Sequence, residues 1–209
     1  TGTLTQNEMT VQKLVLPGRE IEVGGFGYQP RGEFRQGNQS IQPNDDETIS
    51  LLLKAALLCN NSYLRQSEST KQWEIVGDPT EGALVVVATK AGYQKEELEN
   101  MYPRLRELLF DSERKRMSTI HGTPEGKEIL FVKGAPEQVL ERCSNYRNKS
   151  EVLPLSLTIK EKITEQNNRL ALEALRVLAV AFREINQQEK ENIVGKKKLD
   201  IDKTESELT

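Results

Sequence analysis

A group of aromatic and basic residues near the middle of the chain has the composition of a binding site for a planar, anionic ligand. Phe110 directly precedes a charged turn, and Arg114, Lys115 and Arg116 follow consecutively. An exposed aromatic ring beside a cation can stack on a purine while the cation holds its polar edge or its phosphates. The same residues would also suit a core phenylalanine beside a solvated hairpin turn.

A second segment combines a lysine, a glycine and a helix start. Lys133 ends a predicted strand, Gly134 has no side chain to keep a ligand from the backbone, and Ala135-Pro136-Glu137 begins a predicted helix with free N–H groups. These features could form one wall of a nucleotide site, although strand, glycine and proline in this order are also ordinary architecture. The chain has no Gly-x-x-x-x-Gly-Lys-Ser/Thr pattern, which excludes a Walker A loop.

A third segment is the start of another predicted helix, within Gly-Asp-Pro-Thr-Glu-Gly-Ala-Leu at 77–84. Thr80 as the N-cap residue with Glu81 in the first turn is normal helix initiation. The alternative makes the Glu81 carboxylate an acceptor for an exocyclic amine.

Arg176 precedes the apolar run 177–182, a position at which an arginine is usually exposed or ion-paired.

Composition narrows the function classes. The 209 residues include 29 basic and 32 acidic side chains, so the net charge of -3 gives no global attraction to nucleic acid or an anionic membrane. No apolar run approaches the length of a membrane span. Cys59 and Cys143 are predicted to be reduced thiols, and His121, the single histidine, to be structural or solvated. We find no hydrolytic triad or metal-ligand spacing in the sequence.

The hydrophobic pattern predicts an α+β fold, one domain with a mostly antiparallel sheet and helices packed on it. Helices are predicted to cover 49–59, 81–90, 135–143 and 157–175. Strands are predicted over 10–16, 73–76, 105–110, 115–121, 128–133 and 177–182, with an irregular hairpin or edge strand over 20–34 and a polar loop over 144–151.

Six segments in order resemble the nucleotide-binding (N) domain of type II P-type ATPases, and are most similar to bacterial calcium pumps of the sarcoplasmic-reticulum type. They are Thr-Gly-Thr-Leu-Thr-Gln-Asn at 1–7, Cys-Asn-Asn-Ser at 59–62, the 77–84 segment, Phe-Asp-Ser-Glu-Arg-Lys-Arg-Met-Ser at 110–118, Lys-Gly-Ala-Pro-Glu at 133–137 and Leu-Arg-Val-Leu-Ala at 175–179. The resemblance implies a remnant of the phosphorylation-domain motif and hinge over 1–13, the nucleotide-binding domain over 14–185, and a charged excursion or return segment over 186–209.

The first segment resembles a phosphorylation motif without its reactive group. P-type ATPases carry Asp-Lys-Thr-Gly-Thr-Leu-Thr, whose aspartate accepts the γ-phosphoryl of ATP. In this sequence that aspartate would precede Thr1, so no catalytic residue is expected and the isolated chain should only bind nucleotide. The Thr1 backbone carbonyl matches one that helps to hold Mg²⁺ in the intact pump, a role that we expect to be lost here.

The resemblance also implies how the adenine is held. Phe110 would stack on the base, and Glu81, supported by Thr80, would meet its amino edge. Of the three consecutive basic residues, Arg114, Lys115 and Arg116, Lys115 is predicted to line the pocket, because the turn breaks the strand alternation that starts at Phe110.

The remaining implied contacts lie further along the chain. Lys133 would line the pocket, Gly134 and Ala135 would permit close contact, Arg176 would reach the polyphosphate, and Leu178 would pack on the ribose or the ring. ATP is then the substrate, with Mg²⁺ required in the intact enzyme.

The implied setting is the cytoplasmic domain of an integral cell-membrane protein. Its partners would be the phosphorylation, actuator and transmembrane domains of the same pump, with no nucleic acid, and the isolated chain would be monomeric. A pump for protons, sodium and potassium, or magnesium is an alternative, since the ion ligands would lie in membrane helices. A non-nucleotide interaction module using the basic stretches 114–116 and 196–198 is a rival that the balanced charge disfavours.

Overall fold

A computed structural model describes residues 8–186, 189–190 and 200–209. The predicted metal contact at Thr1 and the basic stretch at 196–198 therefore lie outside the described residues. The chain divides into two compact units, residues 1–98 and 99–209, and each is described by itself.

The first unit begins with a four-stranded antiparallel sheet. Its strands are β1 (Lys13–Leu16), β2 (Arg19–Val23), β3 (Phe34–Gln36) and β4 (Gln39–Ile41), paired in sequence order. Pro17 and Gly18 form the predicted turn, where Gly18 has a φ of +78° that glycine adopts without strain. The predicted irregular hairpin over 20–34 corresponds to β2, an irregular loop and the start of β3.

Helices and a short hairpin complete the first unit. They are α1 (Glu47–Leu58), β5 (Tyr63–Gln66), β6 (Trp73–Val76), α2 (Pro79–Lys90) and α3 (Lys95–Met101), whose last residues belong to the second unit. The α2 N-cap was predicted at Thr80 but is Asp78, whose carboxylate accepts from the Thr80 and Glu81 N–H groups. Pro79 occupies the first helical position, where a backbone N–H would have no partner within the helix, so proline loses no hydrogen bond there.

The second unit is built on another four-stranded antiparallel sheet, in the order β12-β9-β8-β7. These strands are β7 (Arg104–Asp111), β8 (Arg116–Gly122), β9 (Glu128–Gly134) and β12 (Ala179–Ile185). The unit also contains α4 (Pro136–Leu140), α5 (Leu157–Leu172) and α6 (Ile201–Thr204). Side chains of this sheet pack with Val139 of α4 and with Leu208 in one core, whose sheet residues are Ile120, Leu130, Val132, Ala181 and Ile185.

Two parts of the second unit differ from their sequence patterns. The segment predicted as a polar loop over 144–151 contains a hairpin of β10 (Asn145–Asn148) and β11 (Glu151–Pro154), so that prediction is wrong in part. Within the predicted excursion or return segment over 186–209, residues 200–209 pack into the unit: Leu208 is fully buried, and Thr209 and Phe182 exchange two backbone hydrogen bonds of 2.9 Å.

The predicted α+β class is confirmed. Every strand pair in the described part of the chain is antiparallel, apart from an isolated parallel bridge between Cys143 and Leu208. None of the helices described has the length and apolar character needed to cross a bilayer.

Candidate functional site

The predicted residues of the second unit gather at one end of its sheet. Strand β7 ends where β8 begins, at the pair Asp111 and Arg116, and Gly134 at the end of β9 pairs with both Arg116 and Ala179. Since neighbouring strands run antiparallel, the residues flanking these pairs share the same edge. The predicted residues at or next to these pairs are Phe110, Lys115, Lys133, Gly134, Ala135 and Leu178. Arg176 lies three positions before Ala179 in the chain.

Phe110 is an exposed aromatic residue. The register of β7 against β8 shifts between Leu108 and Asp111, which marks a β-bulge around Phe110. The Phe110 side chain is 63% exposed, so the alternative of a core phenylalanine is wrong. A ring held out of the core on a strand end can stack on a planar ligand.

The turn after Phe110 is closed by its own hydrogen bonds. The Asp111 carboxylate accepts from the N–H groups of Glu113 and Arg114, both at 2.9 Å, and the Lys115 N–H donates to the Asp111 carbonyl at 2.7 Å. The two N–H donors lower the pKa of the Asp111 carboxyl below its ordinary value of 3.8. The turn is thus an ordered support for the residues that it carries.

The three consecutive basic residues have different surroundings. Arg114 and Arg116 form ion pairs with Glu205, and Arg116 is only 2% exposed. Lys115 is exposed, with a φ of +49°, and has no ion-pair partner among the residues that the structure describes. Of the three, Lys115 is therefore the cation open to a ligand anion.

Gly134 is required by the protein backbone itself. A Cβ atom there would lie 2.4 Å from the Lys115 carbonyl oxygen and 2.5 Å from the Arg116 Cβ. The Ala135 N–H already donates to the same Lys115 carbonyl at 2.9 Å. The absence of a side chain at Gly134 thus lets β9 approach the Lys115–Arg116 backbone, and this holds Lys115 against the end of β9. The approach of a ligand to Gly134 stays a prediction.

The other predicted residues of this edge differ in burial. Lys133 is 5% exposed and pairs in register with Met117 and Val180. Arg176 is exposed and forms no ion pair within the described ranges, whereas Leu178 is half-buried. A second exposed cation therefore stands just before β12, close in the chain to the Ala179–Gly134 pair.

Thr80 and Glu81 belong to the first unit. The Glu81 carboxylate accepts from the Asn61 N–H at 2.9 Å and the Ser62 hydroxyl at 3.5 Å, and its carbonyl accepts from the Asn60 amide at 2.9 Å. The motif at 59–62 and the motif at 77–84 therefore bind each other. The Thr80 hydroxyl lies 3.5 Å from the Met9 sulfur.

Three titratable side chains outside this cluster have structural roles. His121 is fully buried, as predicted for a structural histidine, and Cys59 is buried and unbridged. Burial raises the pKa of the Cys143 thiol to about 11, so the thiolate is scarcely populated at neutral pH.

The metal contact predicted from the sequence has no counterpart among the described side chains. No cluster of three or more His, Cys, Asp or Glu side chains with suitable geometry occurs in the described ranges. The Thr1 carbonyl, the predicted Mg²⁺ contact, lies outside them.

Sequence reasoning missed one residue of this region, Glu205. It is fully buried and lies at the centre of the charges beneath the turn. Arg114 and Glu205 are 91 positions apart in the sequence, so no local pattern could have joined them.

Comparisons with known proteins give one family. A family model for "P-type ATPase, cytoplasmic domain N" matches residues 48–209. The chain is similar to a calcium-transporting ATPase of Bacillus subtilis, 36% identical over 90% of this chain and 21% of the relative. It is also similar to calcium-transporting ATPase 1 of Lactococcus lactis, 37% identical over 91% of this chain and 19% of the relative. A human calcium-transporting ATPase type 2C member 1 is 35% identical over 87% of this chain and 19% of the relative. The chain thus spans about a fifth of the length of these relatives.

Proposed function

Because this chain belongs to the P-type ATPase family as its cytoplasmic domain N, we propose that it binds ATP by the adenosine end. The observation that carries the proposal is the 63% exposed ring of Phe110, held on an ordered turn with the exposed cation of Lys115. The adenine base can stack on this ring whether the nucleotide carries one, two or three phosphates, because stacking uses only the face of the base.

The other residues of the sheet edge have distinct proposed roles. Arg176, exposed before β12, would attract the polyphosphate, and Leu178 would pack on the ribose or the ring. Lys133 is too buried to meet a phosphate freely and would add positive potential from beneath the surface. Gly134 and Ala135 would act by keeping the β7–β8 turn against the end of β9.

The whole protein is proposed to be a cation-transporting P-type ATPase, with calcium as the ion. This rests on the relatives named as calcium-transporting ATPases, of which the chain matches about a fifth. In that enzyme the domain would lie on the cytoplasmic side of a membrane pump. It would bring the γ-phosphoryl of ATP to the aspartate of a phosphorylation domain. Positioning of the reacting groups would supply most of the reduction in the activation barrier. Mg²⁺ would supply charge stabilisation to that transfer.

The proposed contacts predict weak binding by the isolated chain. One aromatic stack and a few exposed polar contacts should leave about 4 to 5 kcal/mol after association entropy, which corresponds to high micromolar to millimolar affinity. Because the adenosine end makes the main contacts, AMP, ADP and ATP should bind with similar affinity and without Mg²⁺.

The experiment is an NMR titration of the wild-type chain, Phe110→Ala and Leu157→Ala with AMP, ATP and GTP. Leu157 is the matched control, since its apolar side chain is 79% exposed on α5. We expect adenine-selective binding by the wild type and by Leu157→Ala, and an affinity about tenfold lower or worse in Phe110→Ala. Equal losses in both variants, or no binding of AMP and ATP by the wild type, would refute the proposal.

The same titration distinguishes the rival interaction module. A site that used the basic stretch at 114–116 for nucleic acid would lose affinity steeply with salt and would not prefer adenine. The structure offers this module little free charge, since Arg114 and Arg116 are both paired with Glu205.

A further inference from the structure

Glu205 is a buried carboxylate with a complete set of donors. Both of its oxygens accept from the Arg114 Nη1 at 2.8 and 2.9 Å, one accepts from the Arg116 Nε at 2.7 Å, and the other from the Ser118 hydroxyl at 2.8 Å. The side chains of Glu205 and Arg116 are 0% and 2% exposed. Charge-assisted bonds of this length in a buried setting fix the geometry of every group that makes them.

Arg114 extends this network to the residue before Phe110. Its Nη2 donates to the Leu109 carbonyl at 2.7 Å, while its Nη1 is bound to Glu205. Arg116 adds a bond from Nη1 to the Arg114 carbonyl at 3.1 Å. The β-bulge that exposes Phe110 is therefore tied through one planar guanidinium to Glu205.

Glu205 is itself held by a well-anchored segment. It directly follows α6, and its N–H donates to the Ile201 carbonyl at 2.9 Å. Three residues later, the Leu208 N–H donates to the Arg142 carbonyl at 3.0 Å, and Thr209 exchanges two bonds with Phe182. The carboxylate is thus a fixed point relative to β12, the strand that follows Arg176.

We infer that Glu205 is a positioning residue for nucleotide binding, acting through Arg114 to hold Phe110 at the angle needed for stacking. The inference rests on the proposed function of Phe110. Without this support, backbone motion at the bulge would change the orientation of the exposed Phe110 ring. The ring would then have to be ordered when the nucleotide binds, and the entropy cost of that ordering would reduce the affinity.

The same contacts determine which cation meets the ligand. Glu205 binds the guanidinium groups of Arg114 and Arg116, so neither is free to reach a phosphate. Lys115, turned outward by its left-handed backbone, is left as the exposed cation of the turn. Glu205 therefore also limits how much the nucleotide affinity of this sheet edge rises with the number of phosphates.

The test uses two variants and a control in the full chain. Arg114→Lys keeps the charge but lacks the planar fork that joins Glu205 to Leu109. Glu205→Gln keeps the shape but removes the charge. The control is Arg142→Ala, which removes two other contacts of the same C-terminal segment, the bonds from Arg142 to Asp202 at 2.7 and 3.2 Å. Asp202 also lies 3.8 Å from the Arg116 guanidinium, but the bonds from Glu205 to Arg114 and from Arg114 to Leu109 are left in place. Arg114 is 19% exposed, so its variant should fold even if Glu205→Gln does not.

The first readout is the affinity for AMP and for ATP, measured by NMR titration. We expect Arg114→Lys to weaken both by the same factor, about threefold to tenfold, since it acts through stacking. Glu205→Gln, where folded, should weaken AMP binding likewise. A loss confined to ATP would mean that Arg114 meets phosphate directly, and unchanged AMP affinity in a folded Arg114→Lys would overturn the inference.

The second readout is local backbone order. ¹⁵N relaxation of the free chain should give lower order parameters at residues 109–111 in Arg114→Lys than in the wild type, and unchanged values there in Arg142→Ala. Loss of order spread evenly over β7 to β9 would indicate a merely structural role and overturn the inference. If the wild type binds AMP and Phe110→Ala does not, the proposed function stands whatever the result for Arg114.

Discussion

The Lys115 carbonyl oxygen accepts a hydrogen bond from the Ala135 N–H at 2.9 Å, and this bond joins the β7–β8 turn to the end of β9. Gly134, the residue before Ala135, passes so close to β8 that a Cβ atom would lie 2.7 Å from the Arg116 Cα. The same Cβ atom would lie 2.4 Å from the Lys115 carbonyl oxygen. Both of these neighbouring atoms belong to the backbone, so they cannot move aside as a flexible side chain could.

Gly134→Ala is therefore expected to destabilise the protein by about 1 to 3 kcal/mol through overpacking. Gly122→Ala is the matched control, because a Cβ there would meet only the Pro103 ring at 3.6 and 3.9 Å. Urea unfolding would measure both variants. A free energy of unfolding for Gly134→Ala within about 0.5 kcal/mol of the control would contradict the close approach.

Asp46 should make stability depend on pH in the acidic range. Its pKa is lowered below the ordinary 3.8, first by the hydrogen bond from Arg19 and then by the Ile49 and Thr48 N–H groups. Because the folded pKa is below the unfolded one, the stabilisation is present above the unfolded pKa and is lost as the pH falls through the folded pKa.

The stability gap between the wild type and Asp46→Asn should then be constant near neutral pH and shrink below about pH 4. Asparagine still caps α1, so this gap reports the Arg19 pair, while Asp46→Ala should lose about 1 kcal/mol more. Asp45→Asn, at the exposed neighbouring position, controls for net charge. A gap that does not vary with pH would show that Asp46 acts only as a cap.

Most elements of the fold could be predicted because their signals are local. Strand β6 matches its prediction residue for residue, and β7 to β9 differ from theirs by one residue at each end at most, since alternation and turn residues define them. The hairpin β10–β11 was missed because its strands are polar and half-exposed, so no apolar face marks them. The N-cap of α2 was misplaced by two residues because Asp and Thr are both good caps, and Pro79 at the first helical position decides between them.

The candidate site could be predicted only in part, because only some of its residues are placed by local sequence signals. Consecutive antiparallel strands bring Phe110, Lys115 and Lys133 to one edge, and short connections make this readable from sequence. The orientation of Arg114 and Arg116 could not be foreseen, since it depends on Glu205 in a segment that reads as charged surface. A buried carboxylate of this kind is determined by tertiary contacts and leaves no periodic signal.

Glu81 should contribute measurably to the stability of the first unit. Its carboxylate accepts from the Asn61 N–H at 2.9 Å, and Ser62 beside it is fully buried. Glu81→Ala removes this acceptor and is expected to lower the free energy of unfolding by about 1 to 2 kcal/mol, whereas Glu81→Gln retains an amide oxygen and should lose less. Hydrogen exchange of the Asn61 amide would locate the effect; exchange as slow in Glu81→Ala as in the wild type would exclude this anchoring role.

His121 should remain neutral through the physiological range. Burial lowers its pKa from 6.5 to about 4, aided by the Arg104 charge and opposed by the hydrogen bond to the Tyr102 carbonyl. That carbonyl can only accept, so the imidazole carries its proton on Nδ1, and Nε2 accepts from the Thr119 hydroxyl at 2.9 Å. Between pH 6.5 and 4 the unfolded chain binds a proton that the folded chain does not, so stability falls as the pH falls, by about 3 kcal/mol over that window.

Since the chain has a single histidine, its ring signals in a ¹H–¹⁵N spectrum are unambiguous. We expect them to show the Nδ1–H tautomer and no titration above pH 5, and His121→Gln to flatten the stability profile between pH 6.5 and 5. A midpoint near 6.5 would mean that the ring is solvated, and the buried environment assigned to it on β8 would be wrong.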